Sequence, residues 1–310
     1  MNSCGSPLLW FLAFSCTVGC SPAGNGAPGG GVEAGGTSAV TGGTGGTTGI
    51  PTSGTGGATA GTGAVIDPGH PPEDNPECDS VLEVTYRDFT EAHPDFEMDF
   101  RGDVVRRGLV SPELSAERKP VFLNNVGCPA DTMTPLACAN WTTTTPVLST
   151  AEAFAQWYTD VPDVNMKLEK ELALTESAPN SGEYVYDSSS FFPLEPTEGF
   201  GPSPMGHYTG NNYLFTTEIH VQFGYRAGQV FTFRGDDDLW IFVNGKLALD
   251  LGSLHGPEQG TIDFDAQAGE LGISVGQTYA MDIFHAERHT DGSNFRVTTN
   301  ISCFTDVVVR

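Results

Sequence analysis

Basic residues are scarce in this chain: 14 lysines and arginines stand against 39 aspartates and glutamates in 310 residues, a formal charge of −25. Binding to nucleic-acid phosphates or anionic lipid surfaces needs clustered Lys and Arg. That shortage argues against nucleic acid as a partner, and against a membrane except through a covalent lipid. The apolar run near the N-terminus, Leu8 to Gly19, has 12 residues, short of the about 20 that a spanning helix needs. Cys-x-x-Cys pairs are absent, so the cysteines do not read as a zinc site. His285-Ala-Glu-Arg-His289 departs from the His-Glu-x-x-His pattern of zinc proteases and follows a strand-like segment, which keeps its two imidazoles off one helical face. Carboxylates are plentiful, but no Ser/His/Asp arrangement or phosphate loop accompanies them. An enzyme is not expected.

Residues 21–76 lack aromatics, and residues 1–76 carry only Glu33, Asp67, Glu73 and Asp74 as charges, leaving −21 on the remainder. Gly, Thr, Ser, Ala and Pro fill this stretch, with repeats such as Thr41-Gly-Gly-Thr-Gly-Gly46. So little apolar surface cannot offset ordering entropy. A flexible chain of that length reaches about 40 Å, enough to act as a tether. Ahead of it, the short apolar run reads as a signal peptide over residues 1–19. Thr17-Val18-Gly19-Cys20 resembles the lipobox of bacterial lipoproteins, with Thr17 where Leu is usual and no Lys or Arg before the apolar run. The expectation is cleavage before Cys20, lipidation of that residue and a tether over 20–76; a plain secretory signal with an incidental Cys is the alternative. A folded domain over 77–310 would then face the exterior, at the cell surface or outer membrane. Four cysteines remain in it, an even number that suits an oxidising compartment. Of the three possible pairings, the expected one is Cys128–Cys138, closing a short loop, with Cys78–Cys303 clasping the ends of the domain.

Within 77–310 the pattern is of many short strands. Val81–Tyr86, Met166–Leu174 (with a helix over Glu169–Leu172 as the alternative), Glu183–Tyr186, Leu214–Phe223, Val230–Phe233, Leu239–Val243, Lys246–Leu251, Thr261–Phe264, Tyr279–Phe284 and Phe295–Ser302 read as strands separated by Gly, Pro and Asn turns. One short helix is expected over about 150–158 behind the capping box Ser149-Thr-Ala-Glu152. This defines an all-β, antiparallel β-sandwich with short helical insertions. Leu239–Val243 is apolar on both alternating faces, so it should be buried on both. Asn244-Gly245 supplies the positive φ angles of a type I′ turn. Three successive carboxylates, Asp236, Asp237 and Asp238, sit at the open end of that hairpin, where like charges beside a buried strand are unfavourable without a cation. A solvated acidic turn is the plainer alternative.

Several ordered motifs carry a family resemblance. They are Arg87-Asp-Phe89 with His93-Pro-Asp-Phe96, Phe191-Phe-Pro193, Gly235-Asp-Asp-Asp-Leu-Trp-Ile-Phe-Val-Asn-Gly-Lys-Leu247, Asp250-Leu-Gly252 with His255, and Ala286-Glu-Arg-His289 with Ser293-Asn-Phe-Arg296. Together, over about residues 82–304, they resemble a fibro-slime domain, a module of secreted slime-mould and bacterial proteins that is similar to the PA-14 β-sandwich superfamily. The resemblance implies a jelly-roll type of sandwich. It also implies a Ca²⁺ site in which two adjacent aspartates joined by a cis peptide, here Asp236 and Asp237, hold the metal. A late loop, here Asp291 and Asn294, adds ligands, and glycan hydroxyls complete the shell. Oxygen donors of this kind suit Ca²⁺, which takes six to eight at about 2.3–2.6 Å. Asp238 stands where the family often has Gly and is left without a role. Glu287, Arg288 and His289 are expected to form a structural network, and Trp240 to be core. The function that follows is Ca²⁺-dependent binding of extracellular carbohydrate or matrix glycan in adhesion. The alternative is a structural matrix protein whose Ca²⁺ only rigidifies loops.

Overall fold

Residues whose apolar side chains alternate in the sequence form most of the strands in the computed structural model, which describes residues 80–97, 104–130, 144–204, 210–290 and 292–307. The expected leader and tether with Cys20, and also Cys78, Cys138 and Asp291, lie outside the described residues. In chain order the strands begin with β1 (Val81–Asp88), β2 (Arg106–Arg107), β3 (Cys128–Pro129), β4 (Met166–Ala173), β5 (Thr175–Glu176), β6 (Tyr184–Ser188) and β7 (Phe215–Gly224). They continue with β8 (Val230–Gly235), β9 (Asp238–Val243), β10 (Lys246–Leu251), β11 (Glu258–Asp263), β12 (Thr278–Glu287), β13 (Phe295–Thr299) and β14 (Thr305–Asp306). Two helices, α1 (Ala151–Phe154) and α2 (Phe264–Leu271), complete the set among the described residues.

Two antiparallel sheets face each other. One has seven strands in the order β10-β9-β12-β7-β1-β4, with β14 beside β7; the other has five, β11-β8-β13-β6-β5. Inward-pointing residues at alternate positions fill the space between them: Ile219, Val221 and Phe223 of β7, Leu239, Ile241 and Val243 of β9, Phe231 and Phe233 of β8, Phe295 and Val297 of β13. Their partners in alternation on the five-stranded sheet, Thr232, Arg234, Arg296 and Thr298, line its outer face. The all-β sandwich is thus borne out.

β9 is buried at every position, as its two apolar faces require. Its second face is not covered by another sheet, however. Trp240 and Phe242 of β9, with Phe284 and Ala286 of β12, pack under Phe154, Trp157, Tyr158, Phe89, Phe96, Leu109, Val147 and Leu148. These come from α1, the turn just after it and the connections before it, so a layer of loops makes a third layer over β9 and β12. Each large side chain buried there contributes about 1.5–3 kcal/mol. α1 is shorter than expected, and its cap falls one residue later. The Thr150 hydroxyl accepts the Ala153 N–H, while Ser149 N–H donates instead to the Asp95 carboxylate at 2.6 Å.

The β9–β10 hairpin turns on Asn244 and Gly245, both at positive φ (54° and 75°), with Val243 opposite Lys246. Thr261–Phe264, expected as one strand, splits at Asp263: β11 ends there, and the Asp263 carboxylate caps α2 by accepting the Ala266 N–H. Cys128 and Cys303 are both disulfide-bonded. Their expected partners, Cys138 and Cys78, lie outside the described residues, so the pairing stays an expectation.

Candidate metal site at the link between the sheets

β8 belongs to the five-stranded sheet and β9 to the seven-stranded one, so Asp236 and Asp237 are the whole connection between them. The peptide bond joining the two is cis, as the resemblance implied. The link is anchored from below by β12. His285, fully buried, donates from Nε2 to the Asp236 carbonyl at 2.9 Å, and its Nδ1 then accepts from the Thr217 hydroxyl at 3.1 Å. Burial drives this imidazole down to about 4, keeping it neutral.

Each of the three carboxylates has a distinct set of partners. Asp236 is clamped by Asn294: the Asn294 backbone N–H donates to Oδ1, its side-chain amide donates to Oδ2 at 2.8 Å, and Asp236 N–H returns a bond to Asn294 O at 3.4 Å. The amide nitrogen of Asn294, not its oxygen, thus faces the Asp236 carboxylate. Gly235 makes the close approach possible, because a Cβ there would meet Asn294 O at 2.4 Å and the Phe233 ring at 2.7 Å. Asp237 accepts two backbone N–H groups, from His255 to Oδ1 and from Arg288 to Oδ2, both at 3.2 Å. Burial raises both carboxyls above their ordinary values. For Asp237 the Arg288 charge opposes the rise, while Asp238 and Asp236 add to it.

Asp238, which had no role in the sequence, belongs to a different system. Its Oδ1 accepts the Ser253 N–H at 2.6 Å and its Oδ2 accepts Arg288 Nε at 2.6 Å, with neither charged side chain exposed. Arg288 also donates from Nη1 to the carbonyls of Asp95 (2.9 Å) and Val147 (3.1 Å), and lies 5.0 Å over the Trp157 ring. The Asp95 carboxylate in turn accepts Trp157 Nε1 at 3.0 Å. Asp238 therefore ties the link to the loop layer and is committed to an arginine. The expected network around Arg288 is present. Trp240 is core, fully buried and bonded through Nε1 to Asp250 at 3.0 Å.

One side chain at the site was read in the sequence only as part of that network. Glu287, the last residue of β12, shares a face with His285 and so points toward the same link. It is buried; Oε1 accepts the His289 N–H at 3.4 Å, and the buried Ser293 hydroxyl donates toward the same carboxyl. Burial pushes its carboxyl well up, and the charges of Asp237 and Asp236 add to that. His289 itself is exposed, and because β12 runs through Glu287 the two histidines share no helix.

The residues present fit a hard cation. Asp236, Asp237 and the Asn294 amide offer oxygen donors, and Glu287 adds a buried carboxyl whose charge couples to the two aspartates. Among the described residues no three His, Cys, Asp or Glu side chains converge on one point. A shell here would need backbone, water or ligand oxygens as well, which Ca²⁺ accepts readily. Asp291 lies outside the described residues.

No family model matches the chain. It is similar to protein psiD of Dictyostelium discoideum, with 34% identity over 226 residues, 72% of this chain but 41% of psiD. Two solved structures overlap it in part. A PA14 sugar-binding domain from an RTX adhesin has 17% identity and a TM-score of 0.21, over 28% of this chain and 46% of that one. The PA14 domain of the MpAFP antifreeze protein has 11% identity and a TM-score of 0.27, over 42% and 77%. At these scores the overlaps give no ground for transferring what those proteins bind.

Proposed function

We propose that this chain is a surface-anchored, Ca²⁺-dependent carbohydrate-binding or adhesion module associated with extracellular matrix, held to the membrane only through Cys20. The observation that carries the reading is the Asp236–Asp237 link itself. Two adjacent carboxylates form the whole connection between the sheets, with Asn294 locked against the first and the buried Glu287 carboxyl close enough to feel the charge of both. Asp236 and Asp237 hold the ion, Asn294 and Asp291 supply further oxygens, and glycan hydroxyls complete the shell. The test is a glycan array probed with the full chain in Ca²⁺ and again with a chelator. Binding confined to the Ca²⁺ arm supports the reading, and an array blank in both arms defeats the glycan part of it.

A second reading is favoured by one feature of the site. Asp236 and Asp237 are only 8% and 5% exposed, and each of their carboxylate oxygens already accepts a protein N–H. On that reading the chain is a structural matrix protein in which Ca²⁺ stiffens the link and no sugar reaches it. Ca²⁺ binding with a blank array selects this alternative.

A further inference from the structure

The outer face of the five-stranded sheet carries side chains that the metal link leaves unused. Across β11, β8, β13 and β6, Gln259 stands opposite Arg234, Arg234 opposite Arg296 and Arg296 opposite Asp187. Two residues along the strands, Thr261, Thr232 and Thr298 form a second row, with the first two hydroxyls 2.8 Å apart. Like charges directly opposite one another, with Cβ atoms about 5 Å apart, destabilise a sheet. Packing does not call for them here, because both arginines are exposed. Counter-ions are abundant in the chain, with 39 acids against 14 bases. Yet Arg234 has no ion pair or side-chain hydrogen bond among the described residues, and Arg296 has one exposed pair, Nη1 to Asp187 at 3.0 Å. Such a pair is worth little.

Thr232, Arg234, Gln259, Arg296 and Thr298 line a cleft of about 370 Å³ with no carboxylate in its wall, within the range of small-ligand sites. Each of the five presents a hydrogen-bond donor: two guanidinium forks, two hydroxyls and an amide. Guanidinium groups take carboxylates and sulfates in two-pronged fashion, and an anion between them removes their repulsion. The negative charge of the whole chain disfavours a polyanion, and Asp187 repels a second anionic group beside Arg296. We propose that this cleft binds a sugar bearing one carboxylate or sulfate ester, the anion between Arg234 and Arg296 and the sugar hydroxyls on Thr232, Thr298 and Gln259. It shares with the Ca²⁺ reading above only the kind of ligand and uses none of its residues, so the two fail separately.

NMR titration of the full chain, with chelator present throughout and followed at the arginine Nε–H signals, tests it. Methyl glucuronide carries the carboxylate, galactose-6-sulfate the sulfate ester, and methyl glucoside neither. An acidic sugar should bind at least about 10-fold more tightly than methyl glucoside, and the arm that binds identifies the anion. Arg234→Gln should weaken that binding by about 10–100-fold, the worth of hydrogen bonds to a charged group. Arg234→Lys, which keeps the charge but loses the fork, should fall between Gln and wild type. The melting temperature of Arg234→Gln should not fall, because the side chain has no protein partner to lose. Acidic sugars that bind no better than methyl glucoside, or that bind Arg234→Gln as well as wild type, would overturn the proposal and leave any Ca²⁺-dependent signal on the glycan array intact. Inorganic sulfate bound as tightly as either acidic sugar would overturn it too, marking an adventitious ion only.

Discussion

Arg288 and Asp238 form an ion pair with no exposed surface on either side chain, Nε to Oδ2 at 2.6 Å, across 50 residues of sequence. A buried pair of this kind is weak evidence for added stability, but removing one partner leaves the other charge uncompensated in a dry interior. Arg288→Met should therefore destabilise by about 3–5 kcal/mol, and Asp238→Asn by a similar amount. The double variant should recover part of the loss. Urea denaturation of the four proteins measures this; single variants that unfold at the wild-type midpoint would contradict it.

Gly235 lies against the Asn294 carbonyl with no room for a methyl group, the nearest approach being 2.4 Å to a backbone atom. Gly235→Ala should cost about 1–3 kcal/mol through overpacking. It should also weaken Ca²⁺, because Asn294 is pushed off Asp236. A matched titration and thermal melt checks both effects. Loss of stability with unchanged affinity would separate the glycine from the site.

A second charged cluster lies on the seven-stranded sheet, lining a cavity of about 600 Å³ away from the metal link. Glu218 accepts from Arg87 at 2.5 Å, from His220 at 2.6 Å and from Lys119, and His220 bonds Asp282 at 2.6 Å through its other nitrogen. Burial pushes the Glu218 carboxyl up, but His220, Lys119 and Arg87 outweigh it and hold it at about 2. Because this is below the unfolded value, the stabilisation is present above about pH 4.5 and is lost as pH falls toward 2. Burial lowers His220 and its two carboxylates more than reverse that, so its share is lost as pH rises through its folded value. Glu218→Gln should thus be less stable than wild type by about 3 kcal/mol at neutral pH, with the gap closing near pH 2. Denaturant titrations across that range measure the gap; a pH-independent difference would contradict the assignment.

The sequence made the sheets legible because their signal is local. Alternation along β7, β8 and β13 and the Asn244-Gly245 turn place strands and register without reference to anything distant. β10 matches its expected bounds, Lys246–Leu251. Helix α2 was hidden by three strand-like residues running into Phe264, although Asp263 before it and Gly272 after it, at φ 68°, are ordinary helix start and stop signals. The loop layer over Trp240 was not legible, since a doubly apolar strand says that both faces are covered but not by what. At the site, Asp236 and Asp237 stood out by adjacency and Asn294 by motif. The role of Asp238 depends on Arg288, 50 residues on. That pairing is not written in local spacing, and neither is the burial of Glu287 beside the link.

The most direct measurement of the central claim is a crystal structure of the full chain grown with Ca²⁺. An ion is expected with oxygens of Asp236 and Asp237 at about 2.3–2.6 Å. A map with no ion at the link, and with both carboxylates still held only by Asn294, His255 and Arg288, would contradict it.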